Sequence, residues 1–210
     1  DFVNIMDLAP TFLEAGGAAA PEGMTANSLL NVLESDTEGQ VDPERTFVVT
    51  GRERHVARAR EGALPYPQRA IRTDDYLYIR NFHPERWPMG DPKGLDDPTT
   101  EPPPYDILAN DTMVAYSDLD AGPAKAWMVH HRDEPEVREL FEMGFGKFPG
   151  EELYDLRSDP HYMANVATDP GYAAVRDELS ARLMAVLREQ NDPRVVEDPC
   201  RYEHPPYTDV

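Results

Sequence analysis

Seven arginines fall within residues 45–72: Arg45, Arg52, Arg54, Arg58, Arg60, Arg69 and Arg72, set against two acids, Glu53 and Glu61, and no lysine. The planar guanidinium fork makes paired hydrogen bonds to carboxylate, sulfate or phosphate, where a lysine ammonium acts as a point charge. The segment therefore reads as a candidate anion site. Its surroundings sharpen the contrast, because residues 1–44 hold nine acids and no Lys or Arg, and the whole 210-residue chain has a formal net charge of -20. Taken singly, each arginine is better explained by pairing with a nearby surface carboxylate. Taken together, they point to an anionic small molecule or glycan. His55 closes the run Arg52-Glu53-Arg54-His55. Histidine is the side chain suited to proton transfer or ligand holding near neutral pH, so His55, Arg52 and Arg54 are the candidate substrate-binding residues.

Other chemical signatures are missing. The chain has no phosphate-binding glycine loop, HExxH, GxSxG or EF-hand pattern, so no catalytic residue or metal ligand is assigned. His130-His131-Arg132 is a conspicuous cluster, but adjacent histidines point different ways on most backbones, and a surface loop is the expectation. His161 follows Asp159-Pro160 in a turn, and His83 and His204 sit beside prolines without an assigned role. The lone Cys200 has no partner for an internal disulfide or a zinc pair, which leaves the redox compartment open. An excess of 20 negative charges repels a phosphate backbone, excluding nucleic acid as the default partner. No apolar run reaches the roughly 18 residues of a membrane span, and the start lacks the basic, apolar, small-residue order of a signal peptide.

The elements that must hold these residues follow from the patterning. Ile5, Leu8, Ala9, Phe12 and Leu13 have helical spacing stopped by Gly16-Gly17, and Pro10 places the regular start near Asp7. That Asp1 leads straight into this pattern predicts that something precedes it in a parent protein. Arg45–Gly51 is β-rich, with Phe47-Val48-Val49 suggesting a strand covered on both faces. The arginine segment leaves its end, where α/β sheets gather ligand contacts. Gln68–Thr73 and Tyr76–Phe82 around Asp74-Asp75 predict an antiparallel hairpin. Seven prolines between Pro84 and Pro104 predict a long connector. Ala124–Val129 and Glu134–Met143 read as short helices and Glu152–Leu156 as a strand. Asp169 as N-cap and Pro170 as first residue introduce a last helix with Tyr172, Val175, Leu179, Leu183 and Val186 on one face, ending near Asn191. No internal repeat is present.

Two stretches carry a resemblance. Asp7-Leu8-Ala9-Pro10-Thr11-Phe12-Leu13-Glu14-Ala15-Gly16, followed by Gly23-Met24 and Ser28-Leu29-Leu30, is similar to the helix after the last catalytic motif of the type I sulfatases. Glu152-Leu153-Tyr154-Asp155-Leu156-Arg157-Ser158-Asp159-Pro160, then Asn165-Val166-Ala167-Thr168-Asp169-Pro170 and Asp192-Pro193-Arg194-Val195, resembles their C-terminal strand, turn and helix. Between them His55, the run Tyr66–Arg72 and Asn81-Phe82 resemble the heparan N-sulfatase (sulfamidase, N-sulfoglucosamine sulfohydrolase) branch. The likeness is weakest from Lys93 to Tyr116.

The resemblance implies an α/β, alkaline-phosphatase-like sulfatase fold of which only the C-terminal part is present: the end of the large αβα domain, residues 1–62, and a smaller α+β subdomain, residues 63–210. The second part would have an antiparallel sheet, a packed C-terminal helix and the proline-rich connector at about 84–104. It implies hydrolysis of sulfate esters or sulfamates, with N-sulfoglucosamine units of heparan-type glycans as substrate, by a formylglycine beside calcium. The residues for both would lie in an N-terminal catalytic half, so the fragment alone is expected to be inactive, and Cys200 is not the nucleophile precursor. Phe148 stands where relatives commonly have a basic residue. A periplasmic or secreted location is implied, and pairing into a homodimer stays open. Two alternatives remain: a non-catalytic acidic module that binds an anionic partner through its arginines, and a phosphoester hydrolase of the same superfamily.

Overall fold

Extended stretches are stabilised by pairing with neighbours that share their period, and four stretches pair so here. In the computed structural model, which describes residues 1–204, strands β1 (Val48–Arg52), β2 (Gln68–Arg72), β3 (Tyr76–Asn81) and β4 (Glu151–Asp155) form one antiparallel sheet in the order β1-β2-β3-β4. The hairpin predicted at Asp74-Asp75 is present, closed by the Thr73 N–H donating to the Tyr76 carbonyl at 2.9 Å. Between Phe82 and Pro104 no regular element forms, as the prolines require.

The chain folds as two compact units that are interleaved in sequence. The first comprises Asp1–Thr50, Arg69–Ile79 and Glu151–Asp192, and so holds most of the sheet. Helix α1 (Leu8–Ala15) is entered through a 3-10 turn at Ile5–Asp7, where the Asn4 side chain accepts the Met6 N–H and Asp7 bonds back to the Asn4 N–H at 3.0 Å. Its buried residues are Pro10 and Thr11, and Thr11 donates to the Asp7 carbonyl at 2.6 Å and accepts the Leu29 N–H at 2.8 Å, just before α2 (Leu30–Leu33). The apolar stripe read from the sequence is real in period but faces outward, with Ile5 84% and Phe12 70% exposed.

The longest helix of this unit, α6 (Ala173–Glu189), begins where the sequence places it, with Asp169 accepting the Gly171 N–H at 2.8 Å. Its buried stripe is Leu179, Leu183 and Leu187, spaced by four, while Val186 is only half-buried. The Tyr78 hydroxyl on β3 donates to Ser180 Oγ at 3.0 Å and also contacts Glu151, so the helix lies against the strands that the hairpin presents. Arg69 on β2 forks onto Asp192 just beyond α6, at 2.6 and 3.0 Å, fixing the helix exit.

The second unit comprises Gly51–Gln68, Arg80–Gly150 and the chain from Pro193. It packs helices α3 (Tyr105–Asn110), α4 (Pro123–His130) and α5 (Pro135–Phe145) around Leu95, Leu108, Tyr116, Val129, Phe141 and Phe145, and adds α7 (Pro193–Val196). Lys125 is buried here with its ammonium donating to the Thr112, Tyr116 and Leu119 carbonyls. Gly90 has φ +89°, and a Cβ on it would lie 2.8 Å from Ser117 N and 3.0 Å from the Ala59 carbonyl. Only glycine allows the segments around 59, 90 and 117 to approach so closely. Asp91 N–H donates to the Ala59 carbonyl at 2.7 Å, and Asp118 N–H to the Met89 carbonyl at 3.0 Å.

Candidate functional site

The arginine segment runs on from the end of β1 as an irregular loop in the second unit, and a buried carboxylate organises it. Asp118, 1% exposed at its side chain, accepts the Val56 N–H at 2.9 Å and pairs with Arg60. Arg60 also donates to the Trp87 carbonyl at 2.6 Å and the Pro88 carbonyl at 2.7 Å. The same carboxylate lies 3.7 Å from His55 Nδ1, an ion-pair distance longer than a hydrogen bond. His55 itself is 62% exposed at its side chain, so its ring faces solvent, while the next residue is fixed through the Val56 N–H.

The other predicted site residues are held more tightly. Arg52 donates to the Pro88 carbonyl at 2.9 Å and lies over the Tyr66 ring, 5.2 Å from its centroid, where Arg60 also stacks at 5.6 Å. Burial lowers the Arg52 pKa below the usual guanidinium value, with Asp118 opposing the shift. Arg54 donates to the Ala63 carbonyl at 3.1 and 2.7 Å and reaches the Tyr202 carbonyl at 3.3 Å. The end of β1 and the loop that follows it therefore carry all three residues within one unit, with His55 the most open of them. Arg58 shares this loop, is exposed, and makes no ion pair with the described residues. It was visible in the sequence as part of the arginine group. Asp118, by contrast, is one acid among 40 and carried no signal.

The remaining arginines of the segment are structural. Arg45 pairs with Asp7 at 2.9 Å and caps the Asn27 and Ser28 carbonyls, Arg69 holds Asp192, and Arg72 lies 5.8 Å from the Phe2 ring centroid. His130 is the last residue of α4, and His131 is its C-cap at the start of the turn that follows. His130 contacts the Pro103 carbonyl at 2.9 Å and His131 stacks on Trp127 and meets Glu134 at 2.7 Å. Among the described residues no group of three or more His, Cys, Asp or Glu side chains could hold a metal ion, and Cys200 is buried. The described residues therefore offer calcium no such group of ligands. No helix is long and apolar enough to cross a membrane.

In fold the chain matches the C-terminal part of the sulfatases, and in sequence it is similar to them along nine-tenths of its length. It is 26% identical over 193 residues to an ulvan-active sulfatase of Formosa agariphila, covering 90% of this chain and 30% of that protein. It is 25% identical over 203 residues to human N-sulphoglucosamine sulphohydrolase, covering 92% and 34% of the two. The solved structure of BT4656 in complex with its substrate D-glucosamine-2-N,6-O-disulfate superposes on 91% of this chain and 25% of that one, with a TM-score of 0.50 and 21% identity. The chain thus spans about a third of the length of the curated relatives it matches. No family model matches it.

Proposed function

We propose that this chain is the C-terminal part of a sulfatase which, when complete, hydrolyses sulfate esters or sulfamates, with N-sulfoglucosamine units of heparan-type glycans as its substrate. The observation that carries the reading is the similarity along nine-tenths of the chain to two sulfohydrolases, one of them the human enzyme named for N-sulphoglucosamine. On this reading residues 1–62 are the tail of the large catalytic domain and residues 63–210 the smaller subdomain. The nucleophile, its formylglycine modification and calcium belong to the remainder of the protein, which works outside the cytoplasm in the periplasm or after secretion. This chain supplies a wall of the substrate site. His55 meets the sulfated group or its leaving atom, with the Asp118 carboxylate 3.7 Å from its Nδ1. Arg52 and Arg54, with the exposed Arg58, draw sulfate or uronate toward a chain that is otherwise strongly acidic.

Kinetics of the complete protein test this assignment. His55→Ala is expected to lower kcat/KM by roughly ten- to a thousandfold, about 1.4 to 4 kcal/mol of transition-state stabilisation, with the fold intact. Arg52→Ala and Arg54→Ala are expected to raise KM, more strongly at low salt, because their contacts are with a charged substrate. Wild-type kinetics in all three variants on a sulfated heparan oligosaccharide would remove the site from this loop.

A further inference from the structure

A cavity of about 380 Å³ opens in the second unit, walled by Trp87, Tyr116 and Phe141 and rimmed by Asp96, Arg138 and Glu142. That volume is near the lower end of the roughly 300 to 1,000 Å³ of small-molecule sites, room for a single ring-sized unit. Its aromatic wall is rigid. Tyr116 meets Trp87, Phe141 and Phe145 edge-on, at centroid distances of 6.3, 6.1 and 5.0 Å, and is only 1% exposed.

The Tyr116 backbone is satisfied, its N–H donating to Asp91 and its carbonyl accepting from Lys125 and Leu119. Its hydroxyl makes no hydrogen bond with any described residue. The oxygen is not among the fully buried polar atoms that lack a partner, so it opens on the cavity and can meet a group that enters. Burial first, and the Asp96 carboxylate second, push its pKa up to about 12, so the group keeps its proton and donates. The charges around the opening do not favour an anion. Asp96, Asp133 and Glu142 stand against Arg132 and Arg138, and the Arg132 guanidinium already donates to the Val129 and Thr100 carbonyls at 3.0 and 2.8 Å.

A ring with one apolar face and a rim of hydroxyls matches an aromatic wall, carboxylate acceptors and one hydroxyl donor that faces the cavity. We propose that this cavity binds an uncharged pyranose unit of a glycan, its C–H face against Trp87 and its hydroxyls bonded to Tyr116, Asp96 and Glu142. The proposal stands on the second unit alone and does not depend on the sulfatase reading.

The chain has two tryptophans, so Trp127→Phe, at a 44% exposed position, leaves Trp87 as the single indole reporter. Methyl β-D-glucoside and N-acetylglucosamine are titrated into this 210-residue protein, with Trp87 fluorescence and saturation-transfer NMR as readouts. Saturable binding with Kd on the order of 1 mM, unchanged between low and high salt, is expected. Tyr116→Phe, which keeps the ring and removes only the hydroxyl, should weaken it about tenfold with the near-ultraviolet circular dichroism preserved, the size of one lost hydrogen bond. Trp87→Leu, followed by NMR, should abolish it. Absence of saturable binding at about 100 mM sugar, a hundredfold over that Kd, overturns the proposal. So does equal affinity in the Tyr116 and Trp87 variants, or binding that appears only with a sulfated or amine probe and vanishes in high salt. None of these outcomes bears on whether the complete protein releases sulfate.

Discussion

Single carboxylates set the chemistry of this chain more than the arginines that first draw attention. Asp118 accepts from Val56, pairs with Arg60 and lies 3.7 Å from His55, and it fixes the His55 loop together with the carbonyls that hold Arg52, Arg54 and Arg60. Asp155 plays the same part in the first unit. It accepts from Arg157 at 2.8 and 2.7 Å and from the Tyr172 hydroxyl at 3.1 Å, and the Arg157 side chain, foremost, holds its pKa down at about 2. The ordinary carboxyl value is about 3.9, so the folded state favours the charged form. Its contribution is complete above that ordinary value and is lost as pH falls toward about 2. Asp155→Asn should therefore lower stability at pH 7 by about 1 to 3 kcal/mol, as expected for a buried hydrogen-bonded carboxylate. It should also flatten the acid limb of a plot of melting temperature against pH between about 4 and 2. An acid limb identical to that of the wild type would show that Asp155 does not carry this pH dependence.

At the level of elements, what was readable in the sequence was whatever local chemistry decides. The Asp74-Asp75 hairpin, the strand at Glu151–Asp155 and α6 with its Asp169-Pro170 start all follow from period, turn residues and capping. Helix α3, Tyr105–Asn110, was not readable, because six residues after Pro102-Pro103-Pro104 are too few to show a period. The outward face of α1 was not readable either, since period cannot say which side is covered and here Thr11 makes the inward contact. For the site, the arginine group and His55 were visible as residue types, but their division into loop-holding and exposed members depends on carbonyls and on Asp118, which leave no pattern. The α6 stripe gives the test at this scale. Leu183 is fully buried, and Leu183→Ala should cost about 2 to 5 kcal/mol, seen as a lower denaturation midpoint with the slope retained. A change below about 0.5 kcal/mol, the range of surface substitutions, would mean that α6 is not part of the core.

As a whole molecule, the chain combines a net charge of -20 with one basic loop, and a first unit that leaves Val3, Ile5, Leu8, Phe12 and Leu33 exposed. The chain spans about a third of its curated relatives, and on the proposed function it is the C-terminal part of a longer enzyme. The direct test of that account is inorganic sulfate released from an N-sulfated heparan disaccharide, measured side by side for the complete protein and for residues 1–210 alone. The account predicts steady release by the complete protein and a level equal to buffer for the isolated chain. Release by the isolated chain, or a complete protein that cleaves a phosphomonoester and frees no sulfate, would contradict it.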